Sequence, residues 1–146
     1  MSPPNHSILI LVHHRLLGEI LRFRLELLGW HAIVAHDEPE LEEAIASTVP
    51  HLLIIDLDIL TCDPLLVIER LSSDEVLHRI PIMCMSADGD MDRAEKAYRA
   101  GAREYLLIPF DPITLERKVE KLVARFMESS TAVIEEPGDR FELVGQ

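Results

Sequence analysis

Short apolar runs alternate along the chain with longer segments of helical periodicity. The first run, Ile8–Val12, is continuous, as expected for a strand that is buried on both faces of a sheet. Comparable runs at 30–35, 51–56, 80–85 and 103–108 predict four more strands. Between them, and after the last, apolar residues recur every three or four positions, which predicts five helices.

The predicted helices have recognisable ends. The first covers 16–28, with Gly29 after its last turn, and the second begins after Asp37 and is broken by Pro50. A third covers 65–71, a fourth covers 90–100 and ends at Gly101, and a fifth begins after Asp111 and runs to about residue 127. The residues expected on the core side of the first helix are Leu17, Ile20, Leu21, Leu25 and Leu28.

Five strands that alternate with five helices predict parallel βαβ units. Right-handed crossovers then favour a doubly wound, five-stranded parallel sheet of order 2-1-3-4-5, the flavodoxin-like (βα)5 class of α/β fold. In such sheets the functional crevice lies at the carboxyl ends of the strands. The residues that this topology places around that rim are Val12, His13, His14, Asp56, Ser86 and Ile108.

The composition of the chain changes near its C-terminus. We expect a short N-terminal tail at 1–6, one domain at 7–127, and a linker or tail at 128–146 that is rich in Ser, Glu, Pro and Gly. Within the tail, Phe141–Val144 is apolar again. That segment could dock on the body of the domain or begin another domain.

Charge and cysteine content narrow the class of protein. The 146 residues carry a net charge of −12, which disfavours direct binding to nucleic acid or to an anionic membrane. No apolar run approaches the ~20 residues of a membrane span, and the N-terminus lacks the basic region of a signal peptide. Cys62 and Cys84 have no CxxC spacing, so we expect reduced thiols and a cytoplasmic protein.

Three segments resemble the receiver domains of response regulators. They are HLLIIDLD at 51–58, Ser86-Ala87 after the fourth strand, and GAREYLLIPF at 101–110. The gaps between the segments also match the family without insertions. The resemblance covers roughly residues 7–127, and it implies a signalling domain that is not an enzyme.

The resemblance assigns roles to three rim residues. Asp56 stands at the phosphoacceptor position, Ser86 at the position of the hydroxyl that binds phosphoryl oxygens, and Tyr105 at the aromatic switch position. In the family, Mg²⁺ held by an acidic pair and a lysine ammonium complete the site, and the aromatic side chain turns inward as the hydroxyl moves.

Two parts of the family's site are replaced in this sequence. The acidic pair falls on Val12 and His13, or on His13 and His14 in the other register, and the lysine position is Ile108, just before the expected cis-proline Pro109. Asp58 does not restore the metal site, since the family uses a backbone carbonyl there. We therefore expect no Mg²⁺ and no other cofactor. Each lost countercharge contact is worth ~1 kcal/mol in water and ~4 kcal/mol at a partly buried dielectric.

A transition metal held by His13, His14 and Asp56 is a less favoured alternative. Imidazole and carboxylate suit Zn²⁺, but adjacent residues leaving a strand usually point to opposite faces of the sheet. A hydrogen-bonded or surface histidine pair is the simpler interpretation.

We therefore expect an atypical receiver domain that acts through protein contacts, with a histidine kinase, an output domain, another signalling protein or a second copy of itself. The expected surface comprises the fourth helix, fifth strand and fifth helix, at 90–100, 103–108 and 112–127. The charged residues expected on it are Arg93, Glu95, Lys96, Arg99, Arg103, Glu104, Arg117, Lys118 and Lys121.

Two alternatives remain open at the level of sequence. The chain could be a phosphorylatable regulator that uses Asp56 with an altered metal site. It could instead be the N-terminal regulatory part of a longer protein, because DRFELVGQ at 139–146 weakly resembles the opening of a kinase or AAA+ ATPase domain.

Overall fold

The computed structural model describes residues 6–132, with side chains described through residue 125. Within this range a five-stranded parallel sheet has the order β2-β1-β3-β4-β5, which confirms the predicted fold class and strand order. The elements in chain order are β1 (Ser7–Leu11), α1 (Arg15–Leu27), β2 (His31–Ala35), α2 (Glu38–Ser47), β3 (Leu52–Asp56), α3 (Pro64–Ser73), a 3₁₀ turn (Leu77–Arg79), β4 (Ile82–Ser86), α4 (Met91–Ala100), β5 (Glu104–Leu107) and α5 (Pro112–Ala132).

The sheet is covered on both faces, which explains why its strands are continuously apolar. Ile54 of β3 faces a cluster that contains Leu21 of α1 and Leu115 of α5. Its neighbour Ile55 faces the opposite cluster, together with Val67 of α3. Because successive strand residues point to opposite faces, every residue of β1, β3 and β4 is buried.

Aspartate side chains cap α2 to α5, whereas α1 has no side-chain cap, and the caps of α2 and α5 were predicted. Asp37 accepts from the Glu40 amide at 2.9 Å, and Asp111 accepts from the Thr114 amide at 3.3 Å, which confirms both expected starts. Asp63 caps α3 through the Leu65 amide at 3.1 Å. This cap was not predicted, although an aspartate before a proline is a common helix start.

The predicted bounds need small corrections. The second strand begins at His31, one residue later than expected, and the fifth is shorter than expected, covering Glu104–Leu107. Helix α5 continues to Ala132, so the predicted linker begins within a helix. No glycine or proline lies between 113 and 136 to end the helix earlier. The remainder of the predicted tail, 133–146, lies outside the described residues, and the domain limits stay a prediction.

One residue of α1 does not point where the pattern suggested. Leu21 and Leu25 are fully buried, but Ile20 is 44% exposed and does not belong to the core face. A helix can bury only the arc that meets the sheet, and here that arc is centred on Leu21 and Leu25.

The two cysteines differ in their surroundings, and neither forms a disulfide. Cys84 is fully buried on β4, and burial raises the pKa of its thiol to about 12. Cys62 is only half-buried, although burial raises its pKa as well.

Iodoacetamide at pH 8 should therefore label Cys62 of the folded protein and leave Cys84 unmodified. At this pH a thiol of pKa about 12 is ionised in roughly one molecule in 10,000. Peptide mass mapping would measure the labelling, with denatured protein as the control in which both thiols react. Equal labelling of both thiols in the folded protein would contradict the described burial of Cys84.

None of the described helices is both long enough and apolar enough to cross a membrane.

Candidate functional site

The rim residues come together because β3 and β4 are neighbouring parallel strands. Asp56 is the last residue of β3 and Ser86 is the last residue of β4. Both strands are central in the sheet, so their carboxyl ends meet at one edge, between the loops that lead into α1, α3 and α4.

Asp56 is held by backbone amides on both sides. Asp56 is buried, with only 2% of the residue exposed. One carboxylate oxygen accepts from the His13 amide at 3.0 Å, and the other accepts from the Asp58 amide at 2.8 Å. The carboxylate therefore ties the loop after β1 to the loop after β3.

The side chains at the acidic-pair positions carry no oxygen atom that could bind Mg²⁺. Val12 is fully buried in the apolar core, His13 is half-buried and His14 is exposed. The two imidazole rings meet edge to face, with centroids 5.1 Å apart. Mg²⁺ requires oxygen ligands, and neither an aliphatic side chain nor imidazole supplies one. Within residues 6–132 no group of three His, Cys, Asp or Glu side chains could hold a metal ion.

Asp58, two residues after the acceptor position, is the centre of a polar network. Its carboxylate accepts from Ser86 Oγ at 3.0 Å, from the Ala87 amide at 2.8 Å and from Arg93 Nη1 at 2.9 Å. Arg93 also donates to the carbonyl oxygen of Leu57. Arg93 thereby links the first turn of α4 to the loop that follows β3.

The electrostatics of this network favour the ionised carboxylate. Burial alone would raise the pKa of Asp58, but hydrogen bonds from the Ala87 amide, Arg93 and Ser86, with the charge of Arg93, outweigh burial and lower it. The same contact raises the pKa of the Arg93 guanidinium, chiefly through its hydrogen bond to Asp58. Both groups are therefore charged at neutral pH.

This ion pair was not predicted from the sequence. Asp58 was considered only as a possible metal ligand, and Arg93 was assigned to the exposed surface of the fourth helix. The available signal was position: Arg93 lies three residues after the cap Asp90, so it belongs to the first turn of α4, which starts at the rim. The spacing of 35 residues between the partners gives no pattern of its own.

The hydroxyl and aromatic positions are connected through Asp88. The Asp88 amide donates to Ser86 Oγ at 3.0 Å, and the Tyr105 hydroxyl donates to the Asp88 carbonyl at 2.9 Å. The Tyr105 ring is half-buried and packs against the core, and burial raises the pKa of its phenol. Tyr105 therefore points inward toward the loop that follows Ser86.

Ile108 occupies the lysine position with an apolar side chain. It is half-buried and packs on the same cluster as Val12, so the core extends toward the rim. Its amide donates to the Ser86 carbonyl at 2.9 Å. The peptide bond from Ile108 to Pro109 is cis.

The surface formed by α4, β5 and α5 presents one cation fewer than the sequence suggested. Arg93 turns away from it toward Asp58, and Glu104 binds Lys118 at 2.8 Å and Lys121 at 3.5 Å. Exposed apolar side chains on this surface include Tyr98 and Leu107. The surface therefore offers mixed charges around apolar contacts.

Comparisons with known proteins agree with this fold. The family model described as "Response regulator receiver domain" matches residues 8–120. A solved structure of a putative response regulator from Chloroflexus aurantiacus superposes with a TM-score of 0.77 at 27% identity, covering 82% of this chain and 98% of that one.

Two curated relatives are longer proteins. The phosphate regulon transcriptional regulatory protein PhoB of Pseudomonas aeruginosa is 25% identical over 82% of this chain and 52% of its own length. The DNA-binding transcriptional regulator NtrC of Escherichia coli is 32% identical over 61% of this chain and 19% of its own length. Because NtrC is named as DNA-binding, the comparisons do not support the expected exclusion of nucleic acid.

Proposed function

Because the chain belongs to the response regulator receiver domain family, we propose that it is a signalling module that works without Mg²⁺-dependent aspartyl phosphorylation. In this proposal, protein partners bind a conformation that the chain maintains by itself, and no cofactor takes part.

The observation that carries this proposal is the position of the Asp58 carboxylate. It is bound by Ser86 Oγ and by the Ala87 amide, with Arg93 as its countercharge. In receiver domains that resemble this one, the hydroxyl at the Ser86 position binds the oxygens of the phosphoryl group. We therefore infer that Asp58 stands in for those oxygens, and Arg93 for the missing metal and ammonium.

The acceptor side supports the same conclusion. A phosphoryl group on Asp56 would lie close to the Asp58 carboxylate, and neither Val12 nor Ile108 could neutralise it. Repulsion between such charges at 4 Å is worth ~4 kcal/mol at the effective dielectric of a protein surface. Ser86, already donating to Asp58, would have to break that hydrogen bond in order to turn toward the phosphoryl group.

The inward position of Tyr105 supports a fixed conformation. Its hydroxyl is bound to the Asp88 carbonyl while Ser86 is turned toward Asp58. These are the changes that accompany phosphorylation in the family, and here internal contacts produce both of them. We propose that a histidine kinase, an output domain, another signalling protein or a second copy binds the surface of α4, β5 and α5.

The lengths of the relatives favour one extension of this proposal. This chain spans 52% of PhoB and 19% of NtrC, so the domain would act as the regulatory part of a longer protein. Any contact with nucleic acid would then belong to a separate output domain, since an acidic domain does not itself attract phosphates.

Incubation with acetyl phosphate and Mg²⁺ should leave the intact mass of the protein unchanged. Loss of two countercharges removes several kcal/mol of transition-state stabilisation, or several orders of magnitude in rate. Intact-protein mass spectrometry would measure this, with a phosphorylatable receiver domain in the same tube as the positive control and Asp56→Ala as the background.

A single added phosphoryl group that is absent from Asp56→Ala would establish the alternative, a working acceptor with an altered metal site. Saturable Mg²⁺-dependent NMR shifts at the His13 and Asp56 amides would likewise contradict the proposal. Changing Val12→Asp, His13→Asp and Ile108→Lys together with Asp58→Ala should recover some labelling, because that combination supplies carboxylate ligands for Mg²⁺ and an ammonium, and removes the acceptor that holds Ser86.

A further inference from the structure

Helix α1 has a second apolar face that does not touch the core. Four large hydrophobic residues form this face, and all of them are exposed. The exposed fractions are 73% for Leu16, 44% for Ile20, 62% for Phe23 and 62% for Leu27. A helix needs only one apolar face to pack on a sheet, so burial of this second face requires another partner.

The four residues form a narrow stripe. Their spacing is four, three and four residues, the alternation of a coiled-coil seam. At 3.6 residues per turn they fall within an arc of about 60°. Leu21 and Leu25, which pack under the helix, lie on a different arc, so the stripe points outward.

A row of charged residues runs beside the stripe, about a quarter turn away. It consists of Arg15, Glu19, Arg22 and Glu26, which alternate in sign along the helix. Glu19 and Arg22 already contact each other at 2.8 Å. On the other side of the stripe, Arg24 binds Glu116 of α5 at 3.4 Å. That flank therefore carries an ion pair with α5 in place of the alternating row.

The charge order identifies the partner that fits this face. From the N-terminus to the C-terminus of α1, the charges of the row are plus, minus, plus and minus. An antiparallel copy of the helix presents them in the reverse order, so each charge faces one of the opposite sign. A twofold axis that sets two α1 helices antiparallel puts the two charged rows on the same side of the contact. Arg15 then lies opposite Glu26 of the other copy, and Glu19 lies opposite Arg22. A parallel pair would put the two rows on opposite sides.

We propose that α1 is a self-association surface through which two copies of this chain pair antiparallel, stripe against stripe. The stripe supplies the apolar centre of the contact, and the charged row sets its orientation. A contact of one helix per copy is small, so we expect a weak dimer with a dissociation constant on the order of 10 µM or more. This surface is separate from that of α4, β5 and α5, and it does not depend on the chemistry at Asp56.

Sedimentation equilibrium of the full chain between low micromolar and several hundred micromolar concentration tests the proposal. The wild type should pass from monomer to dimer, and Phe23→Ser should weaken association at least tenfold. Leu66→Ser, a substitution of an exposed leucine on α3, is the matched control and should dimerise like the wild type. Far-ultraviolet circular dichroism would verify that each variant is folded.

Charge exchange tests the antiparallel orientation separately. Arg15→Glu and Glu26→Arg should each weaken the dimer several-fold, and the double variant should restore it. The two residues are 11 positions apart in one helix, about 16 Å, so restoration cannot come from a contact within one copy.

Several other results would contradict the proposed pairing. A wild type that stays monomeric at every concentration, or a dimer indifferent to Phe23→Ser, overturns the surface. Failure of the double variant to restore association overturns the antiparallel arrangement. A monomer that dimerises only after Phe141→Ser would assign the stripe to the chain's own C-terminal segment, and this too overturns pairing as the native use.

Discussion

Replacing Gly101 with alanine should lower the free energy of unfolding by about 2–5 kcal/mol, because the new methyl group meets two separate obstacles. Gly101 ends α4 with φ = 132°, in the region that favours glycine. A Cβ there would also lie 1.9 Å from Ser72 Oγ and 2.5 Å from Ser72 Cβ, on the neighbouring helix α3.

Chemical denaturation at pH 7 would measure the loss, with Gly89→Ala as the matched control. A Cβ at Gly89 meets nothing within 4 Å, and Gly89 does not have a positive φ. Equal stability losses in the two variants would show that Ser72 and the backbone at position 101 adapt freely. A large difference would establish that the junction of α4 and β5 is held rigidly against α3.

Replacing Arg93 with methionine should destabilise the protein by about 1 kcal/mol at pH 7 and loosen the conformation of the rim. The side chains of Arg93 and Asp58 are 32% and 35% exposed, so solvent screens the pair and the effect stays moderate. Lys96→Met, an exposed change on the same helix, is the control and should alter stability little.

The pH dependence of the difference has a definite sign. The pKa of Asp58 is lowered in the folded state, so its ionised form contributes stability above the unfolded value, ~3.9, and loses it as the pH falls through the folded pKa. Arg93→Met brings the two pKa values closer. The stability difference between wild type and variant should therefore be largest near neutral pH and shrink below pH ~4.

Denaturation at several pH values and the NMR line shape of the Tyr105 ring measure the two effects. If Asp58 and Arg93 hold Ser86 and Asp88 in place, Tyr105 should exchange between orientations in Arg93→Met but not in Lys96→Met. A pH-independent stability difference, with an unchanged Tyr105 signal, would remove the ion pair from its proposed role as substitute for the phosphoryl group and its countercharges.

The sequence by itself determined the fold and the location of the rim. Continuous apolar runs such as Ile8–Val12 are typical of strands covered on both faces, and their alternation with helices restricts the topology to few arrangements. Local signals such as Asp37, Gly29 and Asp111 set the helix ends, because each acts on backbone groups within a few residues.

Only the tertiary structure decided which polar groups pair at the rim and which apolar residues remain outside the core. Arg93 reaches Asp58 because of how α4 is placed over the end of β3, and no local pattern encodes that placement. Ile20 and Leu21 are equally apolar in sequence, but the sheet meets only the arc of α1 that carries Leu21. Periodicity and capping are local, so the sequence was sufficient to predict the strands and the helix ends. Contacts between distant segments depend on packing, so the pairing at the rim and the buried arc of α1 required the tertiary structure.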